Sequence, residues 1–107
     1  MIRERLAEPG SLIAAILQDE ITGAVLMLGW MNLDAYEATL STRRATFWSR
    51  SRSRLWVKGE SSGNFQEVIS ASYDCDGDAL LLKVKSAGPT CHTGSTSCFH
   101  NEIELRS

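Results

Sequence analysis

No stretch of this sequence approaches the roughly 18 consecutive apolar residues that a membrane-spanning helix needs. The opening residues Met1-Ile2-Arg3-Glu4-Arg5-Leu6 also lack the apolar region of a signal peptide. A cytoplasmic protein with no membrane partner is therefore expected. Cysteine is scarce: Cys75, Cys91 and Cys98 are an odd number with no C-x-x-C pair among them. They cannot all pair within one chain, and a reducing compartment disfavours disulfides, so they are either small buried residues or thiolate ligands. A dominant charge is missing too, since the formal net charge is -2, which argues against general affinity for nucleic acid or membrane surfaces. Repeats, linkers and low-complexity tracts are absent. A single domain over residues 1–107 is expected, in which 43% apolar residues suffice for a thin core that a partner subunit or a metal would help.

What is present centres on Asp74-Cys75-Asp76-Gly77-Asp78, just before the apolar run Ala79-Leu80-Leu81-Leu82. In an extended segment Asp74, Asp76 and Asp78 would share one face and Cys75 would take the other. That suits a hard oxygen site for Mg²⁺ or a similar cation, and a thiolate for a softer metal. A solvated acidic turn is the plainer reading. An EF-hand loop is excluded, because its sixth position would be Ala79 in place of Gly and its twelfth Lys85 in place of Glu.

In chain order, apolar runs at 12–17 and 24–30 around the turn formers Asp19 to Gly23 predict a hairpin. Asn32 predicts the cap of a helix over about 32–42, with Leu33, Tyr36 and Leu40 at helical spacing. Strands are expected at 45–50, 55–58, 65–73 and 79–85, the last with Leu81 on one face and Leu80, Leu82 and Val84 on the other. A final extended piece is expected over 99–105. The fold class that follows is α+β, a mainly antiparallel sheet with one principal helix.

Two stretches suit a ligand. Ser51-Arg52-Ser53-Arg54 lies in a basic hairpin with Arg50 and Lys58, and guanidinium groups interleaved with hydroxyls bind phosphate oxygens well. A soluble hairpin tip is the alternative. The loop Gly59 to Asn64 is rich in donors and can approach a ligand through its backbone, or simply connect. Cys91-His92-Thr93-Gly94 and Cys98 lie in a polar loop, where a core cysteine is out of place.

Four ordered stretches closely resemble the phosphoribosyl-AMP cyclohydrolase family of histidine biosynthesis: Phe47-Trp48-Ser49-Arg50-Ser51-Arg52, Lys58 to Asn64, Asp74 to Asp78, and Cys91-His92-Thr93-Gly94 with Ser97-Cys98-Phe99. Ser61-Ser62 departs from the family's common Thr-Ser and preserves the hydroxyl. The resemblance implies hydrolysis of the adenine N1–C6 bond of a small nucleotide substrate and an obligate homodimer. It implies zinc held by Cys75, Cys91 and Cys98 from both subunits, and Mg²⁺ held by Asp74, Asp76 and Asp78. Three thiolates leave a tetrahedral position open, the mark of a catalytic zinc site. His92 is the candidate proton carrier. Trp48, Arg50, Arg52, Lys58, Ser61, Ser62, Gly63 and Asn64 are the candidate substrate-binding residues, with Arg50, Arg52 and Lys58 on the two phosphates. His100 is read as structural.

Two competing readings differ in testable ways. A zinc nucleobase deaminase needs H-x-E followed by P-C-x-x-C; here His100-Asn101-Glu102 follows the cysteines and the second motif is absent. A non-catalytic zinc-stabilised module binding phosphate or RNA would use the arginine hairpin and Trp48 or Trp56, and the acidic cluster counts against RNA.

Overall fold

A computed structural model describes residues 1–106. Strands β1 (Ile13–Asp19) and β2 (Val25–Met31) form the expected hairpin. The Asp19 carboxylate closes it, accepting the amides of Ile21 and Thr22 at 3.1 and 2.7 Å. A short helix α1 (Ile2–Leu6), unforeseen in the sequence, precedes them and puts Ile2 and Leu6 into the core.

The main helix, α2 (Leu33–Thr42), starts where Asn32 predicts, its side chain accepting the Ala35 amide at 2.9 Å. Its buried stripe is rotated from the expected one. Ala35 and Thr39 are fully buried, Leu33 and Tyr36 sit at the core margin, and Leu40 is exposed. Thr39 explains the shift: its hydroxyl donates to Ala35 O at 2.8 Å and accepts the Thr46 amide at 3.0 Å. That close tie between helix and the following strand leaves room only for small side chains.

Strands β3 (Thr46–Ser49) and β4 (Arg54–Val57) form a separate two-stranded sheet. Strands β5 (Gln66–Tyr73) and β6 (Ala79–Ser86) join the first hairpin in a four-stranded sheet of order β2-β1-β6-β5. Every pairing is antiparallel except β1 with β6, which run parallel from Ala14 beside Ala79 to Asp19 beside Val84. The fold is α+β, as expected.

Alternation along the strands divides the sheet. Ile13, Ala15, Leu17, Met27, Met31, Leu80, Leu82 and Val84 form one buried face, covered by Phe47 and by Ile2 and Leu6. Leu81 turns to the other face, as expected. There Leu28 and Trp30 are 44% and 46% exposed and flank Ile16 and Leu81, which are half-buried. Nothing among the described residues covers this apolar strip.

Two expectations are corrected. Residues 74–78 are a tight turn between β5 and β6 instead of an extended run, so the aspartates do not alternate across a sheet. Gly77 at φ +69 supplies the left-handed conformation, packed against Met1 Sδ where a Cβ would come to 2.9 Å. The expected extended piece at 99–105 carries no strand.

Phe47 is the keystone of the covered face. It is fully buried, its ring lies 5.0 Å from that of Trp56, and it packs so closely on Gly29 that a Cβ there would approach within 2.5 Å. Phe47→Ala is expected to lower unfolding free energy by about 3–5 kcal/mol, a large share of a domain's usual 5–15 or so. Urea unfolding at fixed protein concentration measures it, and a loss under about 1 kcal/mol would mean the ring is not the core contact described.

Candidate active site

A cavity of about 600 Å³ opens between β4, the 59–64 loop and the 89–94 loop. Gly59 shapes its wall. At φ +91 it turns the chain so tightly that a Cβ would lie 2.4 Å from the Asn64 carbonyl carbon. Gly63 N–H closes the loop on Gly59 O at 2.7 Å. Asn64 then clamps the two loops together, its Nδ2 donating to Pro89 O at 3.2 Å.

The 90–98 loop is a small hairpin of its own. Thr90 N–H donates to Thr96 O at 3.2 Å and Cys91 N–H to Ser95 O at 3.1 Å, around a turn at Gly94. Ser97 Oγ donates to Val25 O at 2.7 Å and Cys98 N–H to Leu26 O at 2.8 Å, pinning the loop to β2. These bonds bring Cys98 beside Cys91.

Cys91 is buried, yet its thiol is pushed down to about 6. The Thr93 hydroxyl, donating to Sγ at 3.1 Å, is the main cause, with the Thr93 amide and His100 adding to it. Burial and the neighbouring Cys91 push the Cys98 thiol up. A sulfur that is already a thiolate at neutral pH, next to one that can become so, fits a soft divalent metal.

Cys75 stands elsewhere. It is exposed in the β5–β6 turn, its thiol donating to Asp76 Oδ1 at 3.4 Å. Strand β5 and strand β2, which holds Cys98, are the two edges of the sheet. Cys75, in the turn joining β6 to β5, is therefore more than two strand spacings from β2, at least about 10 Å, whereas thiolates sharing one zinc lie within roughly 3.8 Å of each other. Among the described residues no three His, Cys, Asp or Glu side chains already surround one metal position.

In the acidic turn, Asp74 Oδ1 accepts the amides of Asp78 and Ala79 at 2.9 and 3.3 Å. A hydrogen bond shared with the Asp78 side chain, joined by the Asp78 amide, holds Asp74 below its ordinary value, while that same bond and the charge of Asp74 push Asp78 up. A bound cation would relieve that repulsion. Arg5 of α1 donates to the Asp76 backbone carbonyl at 3.2 Å, tying the turn to the N-terminal helix.

Of the sequence candidates, the cavity gathers Arg52, Lys58, Ser61, Ser62, Asn64, Cys91 and His92. Trp48, Arg50 and Gly63 lie outside its lining. Trp48 pairs with Leu55 on the opposite face of the small sheet from Phe47 and Trp56, and packs at the core margin. Arg54, part of the serine–arginine stretch expected to bind phosphate, also lines the cavity, paired to Glu60 at 2.8 Å. Trp56, expected to contact a ligand only in the binding-module reading, lines it in place of Trp48, and buried Thr90, outside the candidates, lies beside Cys91. The alternation of β4 could have signalled Trp56, which shares a face with Lys58. His100 was read as structural and comes to 3.7 Å from Cys91 Sγ.

No helix of the described residues is long and apolar enough to cross a membrane.

Known proteins share much of this sequence. A family model described as Phosphoribosyl-AMP cyclohydrolase matches residues 27–100. A phosphoribosyl-AMP cyclohydrolase of Hyphomonas neptunium is 59% identical over 96% of this chain and 78% of its own length. One from Chloroherpeton thalassium is 56% identical over 91% of this chain and 69% of its own. A "Histidine biosynthesis bifunctional protein HisIE" of Staphylococcus epidermidis is 59% identical over 89% of this chain, which spans only 45% of that longer protein. The matched span runs from β2 through the cysteine loop and so takes in the whole cavity, and on that match this chain belongs to the phosphoribosyl-AMP cyclohydrolase family.

Proposed function

We propose that the protein is a zinc-dependent enzyme that hydrolyses the N1–C6 bond of the adenine ring of phosphoribosyl-AMP, giving the formimino-aminoimidazole carboxamide ribonucleotide of histidine biosynthesis. One observation carries this reading: a single cavity joins the Cys91-His92 loop to Arg52, Lys58 and the serines of the 59–64 loop. Chemistry and phosphate recognition thus meet at one opening.

Cys91 and Cys98 hold the zinc from one copy, and Cys75 of a second copy completes the set. The distance between Cys75 and β2 supports sharing between subunits, and the uncovered apolar strip of Leu28, Trp30, Ile16 and Leu81 supports a homodimer. When bound, zinc supplies a Lewis acid that activates water near neutral pH. The chain's own groups do the rest. Trp56 offers a flat apolar wall against the purine, and Arg52 and Lys58 fix the phosphates. His92, at the cavity wall, takes a proton from the attacking water and returns it to N1 as the N1–C6 bond breaks, so that protons balance. Asp74, Asp76 and Asp78 hold Mg²⁺ at the β5–β6 turn, next to Cys75.

The test is absorbance-monitored turnover of phosphoribosyl-AMP before and after zinc chelation, with Cys91→Ser alongside. Activity is expected to vanish in both and to return on zinc addition only for the wild type; chelator-resistant turnover would reject the zinc. Reloading is expected to weaken as pH falls through about 6, because Cys91 is a thiolate above that value and a thiol below it.

For the phosphates, Arg52→Ala and Lys58→Ala are each expected to raise KM about 10- to 100-fold with little change in kcat, the worth of a charge-assisted hydrogen bond. Arg50→Ala, outside the cavity lining, is expected to do less. Unchanged KM in both lining variants would move the phosphates elsewhere.

A further inference from the structure

Among the described residues, His100 is a titratable side chain at the cysteine pair that the proposed reaction leaves unused. Its Nε2 lies 3.7 Å from Cys91 Sγ and 3.5 Å from Thr93 Oγ1. In a tetrahedral shell with Zn–S near 2.3 Å and Zn–N near 2.05 Å, the sulfur-to-nitrogen edge is about 3.6 Å. The imidazole therefore already stands one ligand edge from Cys91. Its Nε2 faces the sulfur and can bind as a neutral ring nitrogen, a common partner of thiolates on zinc.

Its attachment suits the role. Cys98, two residues earlier, is fixed to Leu26 O by its amide, which limits how far His100 can stray. From 100 to 106 the chain has no regular structure and is exposed, so the ring can leave as easily as it arrives. His92 differs, since it lines the cavity where the nucleotide enters.

We infer that His100 is a zinc ligand of the resting site, filling the position that three cysteines leave open and giving it up when substrate enters. This rests on the three-thiolate reading above. Substrate entry then exchanges a ligand on the metal instead of meeting one already bare to solvent.

Zinc K-edge X-ray absorption of the substrate-free holoenzyme tests it, with His100→Ala and His92→Ala measured beside the wild type. Three sulfurs and one nitrogen with imidazole outer-shell scattering are expected in the wild type and in His92→Ala, and loss of that scattering in His100→Ala. Competition with a chromophoric chelator should show at least roughly tenfold weaker zinc binding in His100→Ala, comparable to losing a supporting metal contact. Oxygen in the fourth position of the wild type, or imidazole scattering that survives His100→Ala, would overturn the inference and leave the thiolate site standing. A sulfur count below three would overturn the thiolate reading itself, and the inference with it. His100 is exposed, so its replacement by Ala spares the core.

Discussion

Mixing Cys75→Ser subunits with Cys91→Ser subunits, after unfolding and refolding them together with zinc, is expected to restore activity that neither variant has alone. In a dimer with sites shared between copies, each homodimeric variant lacks one ligand at both sites. A mixed dimer has one site missing two ligands and one site intact. Random pairing makes half the dimers mixed, each with one working site of two, so activity is expected to recover to about a quarter of wild type. The physical basis is the placement of Cys75 in the β5–β6 turn and of Cys98 against β2, the edge strand on the far side of β1. A mixture that stays inactive, while a 1:1 mixture of wild type and Cys91→Ser remains active, would mean each chain builds its own site.

The second large effect falls on His92. Its replacement by Ala is expected to lower kcat by about 10²- to 10⁴-fold, the usual contribution of a placed proton carrier, with zinc content unchanged. Keeping the metal while losing turnover separates this role from ligation, which Cys91→Ser would destroy. Partial rescue by added imidazole would identify the missing group as a base; a kcat within a few-fold of wild type would assign the proton at N1 to another donor.

Local signals in the sequence were reliable where one segment decided its own shape. The Asp19 turn, the Asn32 cap and the alternation of Leu80, Leu81 and Leu82 were all legible, because each depends on neighbours in the chain. The stripe of α2 was misread because Thr39 finds its partner in Thr46, beyond the helix end. The acidic run looked extended until Gly77 turned it, and no alternation rule anticipates a left-handed residue packed on Met1. In the site, the cysteine loop and the basic hairpin were each visible as motifs. Their meeting in one cavity was not, since residues 52–64 and 89–94 are joined by β5 and β6 and brought together by Asn64 on Pro89. Trp48 and Trp56 are equally aromatic, and only what lies beneath β3 decides which of them faces the cavity. His100 shows the same limit: eight residues from His92 in sequence, it is near Cys91 only because the loop folds back.

The parallel pairing of β1 with β6 sets an order on synthesis. β1 ends at Asp19 and β6 begins at Ala79, so about 60 residues must leave the ribosome before the first strand meets its second neighbour. At roughly 5–20 residues per second that is a wait of about 3–12 s. Throughout it β1 keeps one bare edge, and Leu28 and Trp30, on the face that Ile2, Leu6 and Phe47 do not cover, stand unsheltered. A hairpin with an open edge and an apolar face is a natural substrate for chaperones that bind nascent chains. Slower translation between Asp19 and Ala79 would therefore lengthen the time in which the protein is most open to aggregation, without altering a residue of the finished fold.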